Sequence, residues 1–154
     1  MQQITIQSAG RWGGEIENRT FDLKKALEEL IDNYRCGHEK ATINLDFQLK
    51  DPEIFADPFH LIHLVDNLIS NALKYAGEKA EIQITCKQEK TNKLLISVKD
   101  NGPGVSTHSR KRIFRTGFHS NHRHQNSHGI GLAYVRKIVR QYNGHIQIKS
   151  KENE

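Results

Sequence analysis

Four short stretches alternate apolar with polar residues: Thr42 to Gln48 (Ile43, Leu45, Phe47), Glu81 to Lys87 (Ile82, Ile84, Cys86), Leu94 to Lys99, and His145 to Lys149 (Ile146, Ile148). Successive side chains of a strand point to opposite faces, so this pattern marks strands that are apolar on one side only. A sheet built from them has one face to cover and one that stays wet. The chain must therefore also carry amphipathic helices to lie on it.

Three runs have the helical period. Phe21 to Arg35 spaces Leu23, Leu27, Leu30, Ile31 and Tyr34 along one face, with Asp22 near its start and Gly37 after its end. In His60 to Lys74, residues Leu61, Ile62, Val65, Leu68, Ile69, Ala72 and Leu73 share a broad side. His60, His63, Asn67, Ser70, Asn71 and Lys74 form the opposite stripe, interrupted only by Leu64. A third run places Leu132, Val135, Val139 and Tyr142 together and stops at Asn143-Gly144. The expected fold is α/β (α+β), a two-layer sandwich of one sheet and three covering helices.

With 154 residues, 36% of them hydrophobic, the chain is long enough to bury about two-thirds of its unfolded surface as a single domain. Its apolar runs fall short of the ~18 residues that cross a bilayer, and its start does not read as a signal peptide. A soluble, cytoplasmic domain without membrane contact is the expectation. Cys36 and Cys86 are too few for a disulfide framework and suit a reducing compartment as free thiols, with their pairing left open. The net charge of +5 comes from dispersed basic residues without a recognition motif, so attraction to polyphosphate explains it and nucleic acid is not an expected partner.

The polar stripe of the second helix carries the first chemical signal. Asparagine is a mediocre helix former, and Lys or Glu would solvate a helix face better, so Asn67 and Asn71 four residues apart are an odd choice for solubility. At that spacing two amides point the same way. An amide oxygen is a hard ligand that suits Mg²⁺ already holding phosphates, and Lys74, one turn on, reaches a phosphate.

Two glycine-bearing loops come next in the chain. In DNGPGV, Asp100 to Val105, the strand ends on Asp100, while Gly102 and Gly104 permit a tight turn that Pro103 stiffens. A carboxylate only accepts hydrogen bonds, so Asp100 selects adenine through its amino group and disfavours guanine. In SHGIGL, Ser127 to Leu132, Gly129 and Gly131 open the third helix, whose free N–H groups and positive dipole end suit phosphates. Taken singly, the helix reads as a solvated face and each loop as a turn; their order and company define a nucleotide pocket.

With these residues in view, the chain from about Phe21 to Ser150 resembles the GHKL nucleotide-binding superfamily, specifically the catalytic ATP-binding domain of two-component sensor histidine kinases. ADPFHLIHLVDNLISNALKYA looks like its asparagine box, DNGPGV its first glycine box, RIFRTGF (Arg112 to Phe118) its phenylalanine box, and SHGIGLAYVRKIV its second glycine box. The resemblance implies a Bergerat-type fold with a mixed, largely antiparallel sheet. It implies that Asn67 and Asn71 serve metal and phosphates, with Asn71 as the metal ligand and Asn67 and Lys74 as catalytic groups. It further assigns Tyr75 to the base, Asp100 to adenine, and Gly102, Gly104 and Val105 to the base pocket. Gly129, Gly131 and Leu132 contact phosphates by backbone, and Phe114 anchors a lid.

The resemblance also implies a domain that binds Mg²⁺ and ATP and passes the γ-phosphoryl group to a histidine on a separate dimerisation domain, for relay to a response regulator. His38-Glu39-Lys40-Ala41-Thr42 mimics the phosphoacceptor motif, but it comes after Gly37 and precedes a strand, so a loop histidine is expected. An alternative is a GHKL ATPase driving conformational change. Those enzymes resemble the chain but carry a water-activating glutamate where Asn67 stands, and an amide is no general base. A third reading is a regulatory module that holds nucleotide without passing it on.

Residues 1–20 read as a linker or the tail of a dimerisation helix, and 21–154 as the catalytic domain. The family's further strand, which begins near a Gly-Thr pair, has no counterpart before Glu154, so a sheet edge left unpaired is expected. Thr107 to His128 is a long polar stretch suited to a lid, in which Arg110, Lys111, Arg115 or Arg123 would reach phosphate. Its His119, His122, His124 and His128 lack the spacing of a transition-metal site, and titration that makes nucleotide affinity pH-sensitive is their expected role.

Overall fold

The computed structural model describes residues 2–7, 16–89, 93–106, 109, 112–114 and 131–150. Seven strands and three helices are found among them: β1 Gln2–Gln7, β2 Arg19–Asp22, α1 Leu23–Gly37, β3 Thr42–Phe47, β4 Glu53–Ala56, α2 Pro58–Ala76, β5 Glu81–Glu89, β6 Lys93–Asp100, α3 Gly131–Gln141 and β7 His145–Ile148. A five-stranded sheet runs in the order β3-β5-β6-β1-β7, and β2 and β4 form a separate two-stranded ribbon. Only β3 and β5 pair in parallel, Ile43 opposite Ile82 and Phe47 opposite Cys86; the other described pairs are antiparallel. The sheet is thus mixed and largely antiparallel, and the α/β sandwich with three helices stands as expected.

The core lies where alternation put it. Ile43, Ile82, Ile84, Cys86, Ile96 and Val98 from the sheet meet Leu23, Leu27 and Ile31 of α1, Leu61, Leu64, Val65, Leu68, Ile69 and Ala72 of α2, and Val135, Ile138 and Val139 of α3. Leu64, which broke the polar stripe in sequence, is fully buried. The reason is tertiary: α2 is packed by α1 and α3 as well as by β5 and β6, so its apolar arc is wider than a sheet alone requires.

Local chemistry sets the helix starts. Asp22 caps α1 by accepting the Lys25 N–H at 2.9 Å, and Asp57 caps α2 by accepting the His60 N–H at 3.1 Å, with Pro58 in the first turn. Gly77 ends α2, its N–H donating to the Leu73 carbonyl at 3.0 Å. Tyr34 of α1 donates to Asp66 Oδ1 of α2 at 2.7 Å and ties the two helices.

One expectation differs from the structure. The lead, read as a linker or helix tail, supplies β1 inside the sheet and the start of β2. Its weak patterning hid this, because a strand of six residues with one apolar face shows little signal until its partners are known. β1 pairs with β6 over six residues and with β7 over four. None of the helices among the described residues is long and apolar enough to cross a membrane.

Both cysteines are free, Cys36 exposed and Cys86 buried, and burial pushes the Cys86 thiol up to about 12. At pH 8, a thiol reagent is therefore expected to label Cys36 within minutes and Cys86 only on unfolding, as peptide mapping of the alkylated protein would show. Tyr34, Tyr134 and Tyr142 are likewise raised, burial being the largest cause for each. A folded-state pKa above the unfolded value adds stability that is complete below the unfolded value and is lost as pH climbs through the folded one. These groups are therefore expected to lower resistance to urea on the alkaline side, from about pH 9 upward.

Candidate nucleotide site

The site is built along the second half of α2, from Asn67 at mid-helix to the C-terminal end. At the C-terminal end, β6 closes on Asp100, whose Oδ1 accepts the Gly102 N–H at 2.9 Å. A Cβ on Gly102 would sit 2.8 Å from that oxygen and 3.4 Å from the backbone nitrogen of Ala76, so the loop and the end of α2 are in close approach. Gly104 has φ 77°, in the left-handed region that favours glycine. Asn101 steadies the loop from behind, its Oδ1 accepting the Glu81 N–H at 2.9 Å and its Nδ2 donating to the Lys79 carbonyl at 3.2 Å. Val105, half-buried, donates its N–H to Ser150 Oγ at 2.7 Å, which fastens the loop's exit beside β7.

At the middle of α2, Asn67 donates from Nδ2 to the His63 carbonyl one turn back at 2.7 Å, which leaves Oδ1 turned away from its own helix. Gly131, the first residue of α3, lies against it: a Cβ there would fall on that oxygen. Leu132 is half-buried against the core. Asn71 sits one turn beyond Asn67 on α2 and is half-buried, and the Lys74 ammonium lies over the Tyr75 ring at 5.2 Å from its centroid. Tyr75 is exposed. Phe114 is half-buried in a turn beside buried Ile113.

Asp100, Gly102 and the C-terminal end of α2 thus come together, and Asn67 and Gly131 meet at the middle of the same helix. Gly129 lies outside the described residues, as do Arg110, Lys111, Arg115, Arg123 and the four lid histidines. Among the described residues there is no cluster of three or more His, Cys, Asp or Glu that would hold a metal ion.

A polar network that sequence reasoning missed fixes the second junction. Asp57 is the buried charge of the described core, at 5% exposure. Its Oδ2 accepts the Glu17 N–H at 2.8 Å, and its own N–H donates to the Tyr142 hydroxyl at 2.8 Å. Tyr142 donates onward to Asn18 Oδ1 at 3.1 Å. One turn inward, the Tyr134 hydroxyl is 2.7 Å from His60 Nδ1, and the His63 ring stands edge-on to Tyr134 at 4.8 Å between centroids. These contacts lock α3 against the start of α2 and so hold Gly131 at Asn67. Asp57-Pro58 was readable as a helix start; Tyr142 read only as an apolar position, and its hydroxyl finds a partner through tertiary contact alone.

Gly131→Ala separates the site from the fold. The added methyl displaces only the far end of the Asn67 side chain and improves helix propensity, so the midpoint of thermal unfolding is expected to move by no more than a few degrees. Nucleotide affinity is expected to fall by about tenfold or more, because one positioned amide is lost, roughly one hydrogen bond to a charged group. Calorimetric titration and a melting curve on the same sample check both halves.

An α/β sandwich with a carboxylate at the end of a strand and an asparagine facing a glycine-opened helix defines a nucleotide-binding class. Residues 56–154 match the family model described as "Histidine kinase-, DNA gyrase B-, and HSP90-like ATPase", and the chain belongs to that family. Among curated relatives it is 34% identical to Sensor protein RprX of Bacteroides fragilis over 90% of this chain and 28% of that protein. It is 27% identical to Adaptive-response sensory kinase SasA of Synechocystis sp. over 91% of this chain and 37% of that protein. The chain therefore spans about a third of the length of these relatives. Among solved structures, full-length ShkA in complex with AMPPNP superimposes with a TM-score of 0.80 at 25% identity, covering 91% of this chain and 29% of that one.

Proposed function

We propose that this chain binds Mg²⁺-ATP along α2 and donates the γ-phosphoryl group to a histidine on a separate dimerisation domain, for relay to a response regulator in the cytoplasm. The observation that carries the reading is the pair of junctions on α2, one at its C-terminal end and one at mid-helix. Asp100 and Gly102 meet Ala76 at one, and Asn67 meets Gly131 at the other. From Ala76 back to Asn67 the helix rises about 14 Å, the length scale of an extended nucleoside triphosphate. The names of the sensory kinases among its relatives, and the AMPPNP held by ShkA, support the same reading.

In this reading Asp100 takes the adenine amino group, with Gly102, Gly104, Val105 and Tyr75 shaping the base pocket. Asn67, Lys74 and the N-terminus of α3 at Gly131 and Leu132 take the phosphates, with Gly129 beside them and Phe114 anchoring the lid. The residues present fit a magnesium ion: Asn67 is tied by its Nδ2 so that Oδ1 is presented, and Asn71 stands one turn on as the metal ligand. Mg²⁺ when bound supplies charge neutralisation across the phosphates. The protein positions the triphosphate so that an acceptor imidazole nitrogen forms the new P–N bond in line as the bond to the ADP oxygen breaks.

Asn67 also weighs against the ATPase reading, since its amide is bound to a helix carbonyl and is no base for water. The test is transfer of label from γ-labelled ATP to an acceptor dimerisation domain of a related sensor kinase, supplied as a separate protein. Labelled acceptor with little free phosphate is expected. Rapid phosphate release without labelled acceptor would replace the kinase reading by the ATPase one, and binding with neither would leave a regulatory module.

A further inference from the structure

The ladder between β5 and β6 ends with Ile82 opposite Asp100, the last residue of β6. Beyond it the side chain of Asn101 takes over from the backbone. Its Oδ1 accepts the Glu81 N–H at 2.9 Å, and its Nδ2 donates to the Lys79 carbonyl at 3.2 Å. Lys79 belongs to the connection, residues 77–80, that carries the chain from the end of α2 into β5. Asn101 therefore ties the strand that ends on Asp100 to the segment that leaves α2. At the next residue, buried Gly102 donates its N–H to Asp100 Oδ1 at 2.9 Å, and a Cβ on it would stand 3.4 Å from the backbone nitrogen of Ala76. The loop is thus gripped at the two positions directly after the carboxylate, by the connection at Asn101 and by the helix end at Gly102.

Turn formation does not account for asparagine at position 101. Asparagine suits turns in part because it tolerates the left-handed region, and among the described residues Asn143 is the non-glycine residue found there. Packing does not account for it either, because Asn101 is exposed and hydrogen bonds open to water add little to stability. What the position requires is one acceptor and one donor on a single short planar group. Aspartate has no donor for the Lys79 carbonyl, and serine carries a single oxygen for two partners.

We propose that Asn101 is a positioning residue for base recognition: it fixes the distance and direction at which Asp100 faces the end of α2, and through Asp100 it sets the preference for adenine over guanine. This role rests on the nucleotide assignment above and adds to it a determinant of selectivity. One Asp100 oxygen is committed to Gly102, so the other must meet the base within the narrow range of a hydrogen bond, which a displacement of about half an ångström already leaves. Phosphates held largely by charge are far less sensitive to such a displacement.

Calorimetric titration of the full chain with a non-hydrolysable ATP analogue and with GTP compares the unaltered protein, Asn101→Ala, Asp100→Asn and the double variant. Asn101→Ala is expected to weaken binding of the ATP analogue about three- to tenfold, to leave GTP within about twofold, and to move the midpoint of thermal unfolding by no more than a few degrees. In the Asp100→Asn background the same substitution is expected to change affinity for the ATP analogue by less than about twofold, because the group being positioned no longer favours the adenine amino group.

An equal loss for both nucleotides, the same loss with and without the Asp100 carboxylate, or unchanged affinity for the ATP analogue each overturns the proposal. So does a fall in the unfolding midpoint of more than about 10 °C, which makes the role structural. Adenine-selective binding by the unaltered protein alongside any of these results leaves the nucleotide assignment standing. If the unaltered protein binds neither nucleotide, both are overturned.

Discussion

Asp100→Asn is expected to lower affinity for a non-hydrolysable ATP analogue by about 10- to 100-fold while leaving the fold intact. In the protein, one carboxylate oxygen is occupied by the Gly102 N–H at 2.9 Å, so the other is the one available to a base. Asparagine keeps an oxygen for Gly102 and puts an NH₂ in place of the second oxygen. A donor then faces the adenine amino donor, and a hydrogen bond to a charged group, worth about 1.5–3 kcal/mol, is lost. Discrimination against GTP should narrow at the same time, because the amide suits a guanine carbonyl. Calorimetric titration of both nucleotides, with and without Mg²⁺, reads the effect. Unchanged affinity and selectivity would mean that the base does not reach Asp100, and the pocket would have to be sought elsewhere.

The largest loss of stability is expected from Leu68→Ala, at about 2–5 kcal/mol, a substantial share of the ~5–15 kcal/mol that holds a domain of this size. Leu68 is fully buried in α2, the helix that touches both other helices and the sheet, so the cavity has rigid walls on several sides. Glu29→Ala on the exposed face of α1 serves as control and is expected to change stability by less than about 0.5 kcal/mol. Urea unfolding monitored by circular dichroism gives both values. A Leu68 cost under about 1 kcal/mol would show that α2 is not the centre of the core.

The two predictions differ in how far the sequence alone supports them. Leu68 was assigned to the buried side from its 3.6-residue spacing with Val65, Ala72 and Leu73, and all four are buried in the structure. Period is a local property, so a helix or strand with one apolar face announces itself without knowledge of its partners. Asp100 was placed at the end of an alternating run, and β6 does end there. Its closeness to the end of α2 is a contact between elements far apart in sequence, and periodicity is blind to it.

The same divide accounts for what was missed. Tyr142 sat correctly on the apolar face of α3, but its bond to the backbone of Asp57 spans most of the chain. β2 and β4 are four residues each, too short for alternation to rise above chance, and exist because they pair. β1 was read as a helix tail because six residues with a single apolar alternation carry little information of their own.

By itself the sequence determined the α/β class, three covering helices, four of the strands and the order of the nucleotide motifs, since each rests on residue spacing within one segment. Tertiary structure alone decided that Gly131 closes on Asn67 and Gly102 on Ala76, that Asp57 is buried among tyrosines, and that Gln2–Gln7 lies between β6 and β7. Those are distances between separate elements, set by how whole faces pack, and local spacing along a chain does not encode them.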